Sequence, residues 1–86
     1  MEHHIEPQVV LLAAEKIREV GEAREGRHYY QQLALEISYD GYTIVISDPK
    51  VTLTLFFHNK VKVDYRQSQD LDDFYRRLIQ LAKDED

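Results

Sequence analysis

The dipeptide Asp40-Gly41 lies between two alternating runs, Leu33-Ala34-Leu35-Glu36-Ile37-Ser38-Tyr39 before it and Tyr42-Thr43-Ile44-Val45-Ile46 after it. A two-residue type I′ turn needs φ > 0 at both central residues, which Asp-Gly tolerates and most pairs do not. Such a turn sets Tyr39 opposite Tyr42, Ile37 opposite Ile44 and Leu35 opposite Ile46. All of these side chains fall on one face, because side chains alternate along a strand with a period of two. Turn chemistry and hydrophobic pattern therefore agree on an antiparallel hairpin in the middle of the chain.

The same rule extends to the next strands. Pro49 cannot continue a central strand, so Ser47-Asp48-Pro49-Lys50 reads as a four-residue loop that sets Ile46 against Val51, Ile44 against Leu53 and Tyr42 against Leu55. At the following turn a two-residue His58-Asn59 loop would put Lys60, Lys62 and Asp64 against the apolar face, at a heavy desolvation cost. A three-residue His58-Asn59-Lys60 loop instead pairs Phe57 with Val61, Leu55 with Val63 and Leu53 with Tyr65, and is the expected form. The opposite face carries Ala34, Glu36, Ser38, Thr43, Val45, Ser47, Thr52, Thr54, Phe56, Lys62 and Asp64, a mostly polar set that reads as solvated.

A helix precedes this sheet and another follows it. Pro7 suits a first helical turn, and Val10, Ala13, Ala14, Ile17 and Val20 recur at helical spacing. Gly21 and Gly26 both offer stops, and the helix is expected to end near Glu25. Ser68 or Asp70 is the expected cap of the second helix, whose inner stripe is Leu71, Phe74, Leu78 and Leu81, with Arg76, Arg77 and Lys83 toward the end that the helix dipole favours. Only one sheet face is apolar, and four strands about 4.8 Å apart span about two helix diameters, so both helices are expected on that face. The expected fold is a two-layer α+β domain over residues 1–86: helix, four-stranded antiparallel meander in the order 1-2-3-4, helix, with residues 1–6 and 84–86 as disordered tails.

Composition narrows the function classes. Across 86 residues, eleven Lys and Arg stand against sixteen Asp and Glu, a net charge of −5, which opposes nonspecific binding to a phosphate backbone. The absence of cysteine removes disulfides, zinc knuckles and thiol nucleophiles. No apolar run approaches the roughly 18 residues that cross a bilayer, so no membrane association and a cytoplasmic location are expected. His3-His4 has no further ligands at metal spacing, His28 and His58 accompany no nucleophile motif, and there is no glycine-rich phosphate loop. No cofactor, metal or catalytic residue is expected.

What remains is a candidate interaction surface. Arg24, Arg27, His28, Tyr29 and Tyr30 form a basic and aromatic run, and Val45 and Phe56 are apolar exceptions on the solvated face. Ala34 and Ser38 lie on the strand from Tyr30 to Tyr39, which in a four-stranded meander is an edge bearing only Glu36 as a charge. Such an edge invites pairing with a second copy or a partner strand, unless the Arg24-to-Tyr30 connection folds over it. The expected function is a noncatalytic protein-interaction or regulatory module, with a homodimer as one form. The alternative is a nucleic-acid-binding domain that uses the Arg24-to-Tyr30 run.

The string Asp40-Gly41-Tyr42-Thr43, followed by Val51-Thr52-Leu53-Thr54-Leu55-Phe56-Phe57-His58-Asn59-Lys60, resembles a family of small, uncharacterised gammaproteobacterial proteins. The likeness extends from Lys16-Ile17-Arg18 to Tyr65. It implies a bacterial cytoplasmic protein and carries over no functional residue. The layout is also similar to that of double-stranded RNA-binding domains, but Asp70, Asp72 and Asp73 stand where those domains place lysines against phosphates.

The face assignment is testable. Leu53→Ala should cost about 2–5 kcal/mol, as for a buried leucine, and Thr54→Ala far less. Equal losses in urea denaturation would reverse the assignment.

Overall fold

The computed structural model describes residues 5–39, 41–56 and 60–83. Helix α1 (Pro7–Val20) takes Pro7 into its first turn and buries Val10, Ala13, Ala14 and Ile17. It stops at Gly21, short of the expected end near Glu25, and a close backbone approach is the reason. The Gly21 N–H donates to Ile17 O at 2.7 Å. A Cβ at Gly21 would sit 2.5 Å from that oxygen and 2.8 Å from Tyr29 O. The backbone at Tyr29 passes against the helix end, and only glycine leaves it room.

Two strands unforeseen in the sequence follow, β1 (Glu22–Arg24) and β2 (Arg27–Tyr30). They turn at Glu25-Gly26, where φ is +54° and +81°, the sign pattern of a type I′ hairpin. A second tight turn at Gln31-Gln32, with φ +55° at Gln31, leads into β3 (Leu33–Ile37). Strands β4 (Ile44–Ser47), β5 (Val51–Leu55) and β6 (Val61–Tyr65) and helix α2 (Ser68–Lys83) complete the chain. The sheet is a six-stranded antiparallel meander ordered β1-β2-β3-β4-β5-β6, not the four-stranded 1-2-3-4 expected. The expected strand from Tyr30 to Tyr39 is divided, with Tyr30 ending β2 and Leu33 opening β3. Strand β3 is internal: β2 pairs with it through His28 and Leu35, Tyr29 and Ala34, and Tyr30 and Leu33. The Arg24-to-Tyr30 segment covers the edge that was expected to pair with another chain.

The central hairpin has the expected register, with Leu35 opposite Ile46 and Ile37 opposite Ile44. Gly41 has φ +80°, and its N–H donates to Ser38 O at 2.9 Å. Asp40, and with it the type I′ assignment, lies outside the described residues. The other two expected pairings are each displaced by two residues. Ile46 faces Leu53 and Ile44 faces Leu55, because Asp48 tightens the turn. Its Oδ1 accepts the N–H of Lys50 at 2.8 Å and of Val51 at 2.7 Å, while its own N–H donates to Val51 O at 2.9 Å. The turn is thereby anchored to α2, with Asp48 Oδ2 3.5 Å from Arg77 and Lys50 3.9 Å from Asp70.

In the last pairing Leu55 faces Val61, Leu53 faces Val63 and Val51 faces Tyr65, in place of Phe57 with Val61, Leu55 with Val63 and Leu53 with Tyr65. Phe56 N–H donates to Lys60 O at 2.8 Å, closing the strands before the expected loop begins. Phe57, His58 and Asn59 lie outside the described residues. Both displacements are even, so the apolar residues paired in these strands keep their face.

One buried cluster joins α1 and α2 to Leu33, Leu35, Ile46, Val51, Leu53 and Leu55. The helices flank the sheet differently from the expectation: α1 lies over β2 and β3, α2 over β5 and β6, and the two helices touch each other. Helix cover ends short of the central hairpin tip, leaving Tyr42 60 % exposed and Tyr39 fully exposed. Ile5 and Glu6 do not belong to a tail. Ile5 packs on the core, and Glu6 N–H donates to Tyr75 Oη at 3.0 Å. Ser68 lies inside α2 rather than capping it, and Gln67 O accepts the Asp70 N–H at 3.0 Å.

Two substitutions probe these anchors. Gly21→Ala forces a methyl group into backbone and should cost about 1–3 kcal/mol. Asp48→Ala strips the acceptor from two turn N–H groups, at about 1–3 kcal/mol, and Asp48→Asn should restore most of it. Urea midpoints compared with wild type check both, and a Gly21→Ala protein as stable as wild type would contradict the close approach.

Candidate functional site

The sheet face away from the helices gathers most of the residues singled out in the sequence. Paired residues share a face, so the register alone places them. One line across the sheet runs Glu22, Tyr29, Ala34, Ser47, Thr52 and Asp64, and the next runs Arg24, Arg27, Glu36, Val45, Thr54 and Lys62. Ser38 and Phe56 continue the same face toward the central hairpin and the β5–β6 turn. Val45 is half-buried and Phe56 is 37 % exposed. They occupy diagonal positions on neighbouring strands, within reach of one another. His28 and Tyr30 go the other way. Alternation in β2 turns them to the helix side, where His28 stands opposite Leu35 and Tyr30 packs on the core. The basic and aromatic run is thus split between two faces.

The open-face half of that run forms a tight electrostatic group. Arg24 and Arg27 stand directly opposite each other, a like-charge pair that destabilises a sheet unless compensated. Compensation comes from both sides. Arg24 Nη2 lies 2.7 Å from Glu22 Oε1, and Arg27 Nε lies 3.3 Å from Glu36 Oε1. Between them stands Tyr29, whose ring centroid is 5.5 Å from the Arg24 guanidinium carbon, inside cation–π range. The hydrogen bond and charge of Glu22 raise the Arg24 pKa further above its ordinary value. A side-chain hydrogen bond with Tyr29, then the charge of Glu36, does the same for Arg27. Both guanidiniums are fixed as cations and are already matched by acids of the same face.

Glu22 and Glu36 are the counter-ions of this face that reading the sequence did not identify. Glu36 lies nine positions beyond Arg27 in the chain, and only the β2–β3 pairing brings the two together. At the other margin Lys62 and Asp64 stand exposed on β6. Between the two charged margins lies a strip of Ala34, Val45, Ser47, Thr52 and Thr54, small or uncharged side chains with hydroxyls and methyl groups. The arrangement offers shape and short-range hydrogen bonds in the middle and charge of both signs at the sides. Among the described residues, no three His, Asp or Glu side chains form a group that could hold a metal ion. No helix of the described residues is long and apolar enough to cross a membrane. His3 and His4, like His58, lie outside the described residues.

The chain belongs to the family DUF3081, proteins of unknown function, whose family model matches residues 5–86. The resemblance to an uncharacterised family of small proteins is to that extent correct. Comparison with curated proteins and with solved structures finds no match to this chain.

The paired acids give a direct electrostatic expectation. Removing both, as Glu22→Gln with Glu36→Gln, frees Arg24 and Arg27 as a local cationic patch. The double variant should be retained on heparin or mixed DNA at low salt and released as salt rises, whereas wild type passes through. Equal retention of the two proteins would mean that the acids do not neutralise the patch.

Proposed function

We propose that the chain is a noncatalytic protein-interaction module of a gammaproteobacterial cytoplasm, binding through the open face of its sheet. The observation that carries this reading is the layout of that face, an uncharged centre around Val45 and Thr54 between margins of mixed charge. Protein interfaces are built on the same plan, with a desolvated centre depleted of charge and a polar rim. The arginines of the face are tied to Glu22 and Glu36, which suits them to position a partner. It suits them poorly to contact a nucleic-acid backbone, where their charge would have to be free. Tyr29, braced by Arg24 and Arg27, supplies the kind of rigid aromatic anchor that interfaces favour.

The test is capture from the native cell lysate on immobilised wild type, on Val45→Lys, and on a control carrying Glu19→Lys on the exposed side of α1. A partner that binds wild type and control in the presence of nuclease, and is lost by Val45→Lys, supports the reading. If that partner is a second copy, sedimentation of wild type will rise with concentration while Val45→Lys stays monomeric. Capture that ignores Val45→Lys, or vanishes with nuclease, overturns it, the second outcome in favour of nucleic acid.

A further inference from the structure

The half of the aromatic run that faces the helices borders a cleft of its own. It lies between the β2–β3 turn and the last turns of α2, with a volume of about 420 Å³, in the range of small-molecule sites. Its floor is the nearly buried pair Leu33 and Leu81. Tyr30, Gln31 and Gln80 form walls, and Arg77 and Lys83 supply charge.

We propose that this cleft binds a small organic carboxylate with an apolar body. The first ground is charge. The chain has a net charge of −5, and among the described residues Arg24 stands beside Glu22, Arg27 beside Glu36 and Arg76 beside Asp73. Here two cations, Arg77 and Lys83, line one cleft, and among the described residues its lining includes no acid. Arg77 Nη2 lies 3.5 Å from Asp48 Oδ2, and a guanidinium has five N–H donors in a planar fork that matches a carboxylate. Lys83, in the last turn of α2, offsets the negative end of the helix dipole that would otherwise repel an anion.

The second ground is conformational. Gln31 holds φ +55° in the first central position of a turn that glycine would fill without strain. Strained backbone concentrates at ligand sites, and Gln31 is one of the residues that line the cleft. The apolar floor beside Tyr30 then selects an organic anion over a bare inorganic one, because it provides a surface to desolvate a hydrocarbon or aromatic body.

The experiment is amide-resolved NMR of the full chain titrated with phenylacetate, with 2-phenylethanol as the neutral analogue and inorganic phosphate as the charge without the body. Phenylacetate should produce saturable shifts at Gln31, Leu33 and Gln80, including the glutamine side-chain amides, and the two controls should not. Lys83→Gln should weaken binding about threefold, as for one exposed ion pair, while Lys62→Gln on the open face leaves it unchanged. The proposal is overturned by the absence of saturable shifts up to roughly 10 mM, a range that covers weak fragment affinities. It is equally overturned by the same shifts with either control, or by a Lys83→Gln protein that titrates like wild type. None of these outcomes depends on whether the open face binds a protein.

Discussion

The pairings among β3, β4, β5 and β6 obey one constraint: a register can move by two residues but not by one. Moving β5 by one position against β4 would carry Thr52 and Thr54 under the helices and turn Leu53, now fully buried, out to water. The hydroxyls would lose their solvent without gaining partners, and the leucine would lose its burial, each at a cost of order 1–3 kcal/mol. A move of two exchanges one apolar neighbour for another and costs little by comparison. Faces are therefore strongly specified by the alternation, and registers within a face are left to the turns.

That division explains what could be read from the residues alone. The apolar face was legible strand by strand from Leu33 to Tyr65. The β3–β4 register was legible too, because Asp40-Gly41 announces its hairpin. The β4–β5 register was not, since it depends on the Asp48 carboxylate reaching the N–H groups of Lys50 and Val51, and Pro49 suggests a turn without stating its length. Strands β1 and β2 were not legible at all. Hydrophobic period is a signature of burial, and Glu22, Ala23 and Arg24 are all exposed, so that strand leaves no period. Gln31-Gln32 contains none of the residues that mark a turn. The one available signal was Glu25-Gly26 flanked by short runs, and it competed with a helical reading that only the crowding at Gly21 excludes.

The candidate site was legible in part for the same reason. Arg24, Arg27, Tyr29, Ala34, Ser38, Val45 and Phe56 were singled out from separate arguments, and strand alternation places all of them on one face. His28 and Tyr30 were grouped with the arginines by proximity in sequence, and the period of two sends them to the opposite side. Counter-ions are harder to foresee than cations. The acid that matches Arg27 comes from another strand, so a basic run in the sequence overstated the charge that the folded surface presents.

The edges of the sheet decide how such a surface can be approached. Strand addition needs a long, open edge whose backbone groups can pair with an extended peptide. Strand β1 has three residues and begins directly after Gly21, which is pressed against Ile17 and Tyr29. Strand β6 is longer but carries Lys62 and Asp64, both exposed, and charge along an edge is a usual guard against pairing. The open face, rather than either edge, is thus the surface on which the proposed partner would meet side chains. There, an incoming acid that displaces Glu36 from Arg27, or an incoming base that displaces Arg24 from Glu22, exchanges one half-exposed ion pair for another, and such pairs are individually worth little. Electrostatics on this face could orient the proposed partner at small cost but not hold it, and the holding would have to come from the uncharged strip between the margins, around Val45 and Thr54, with Phe56 beside it.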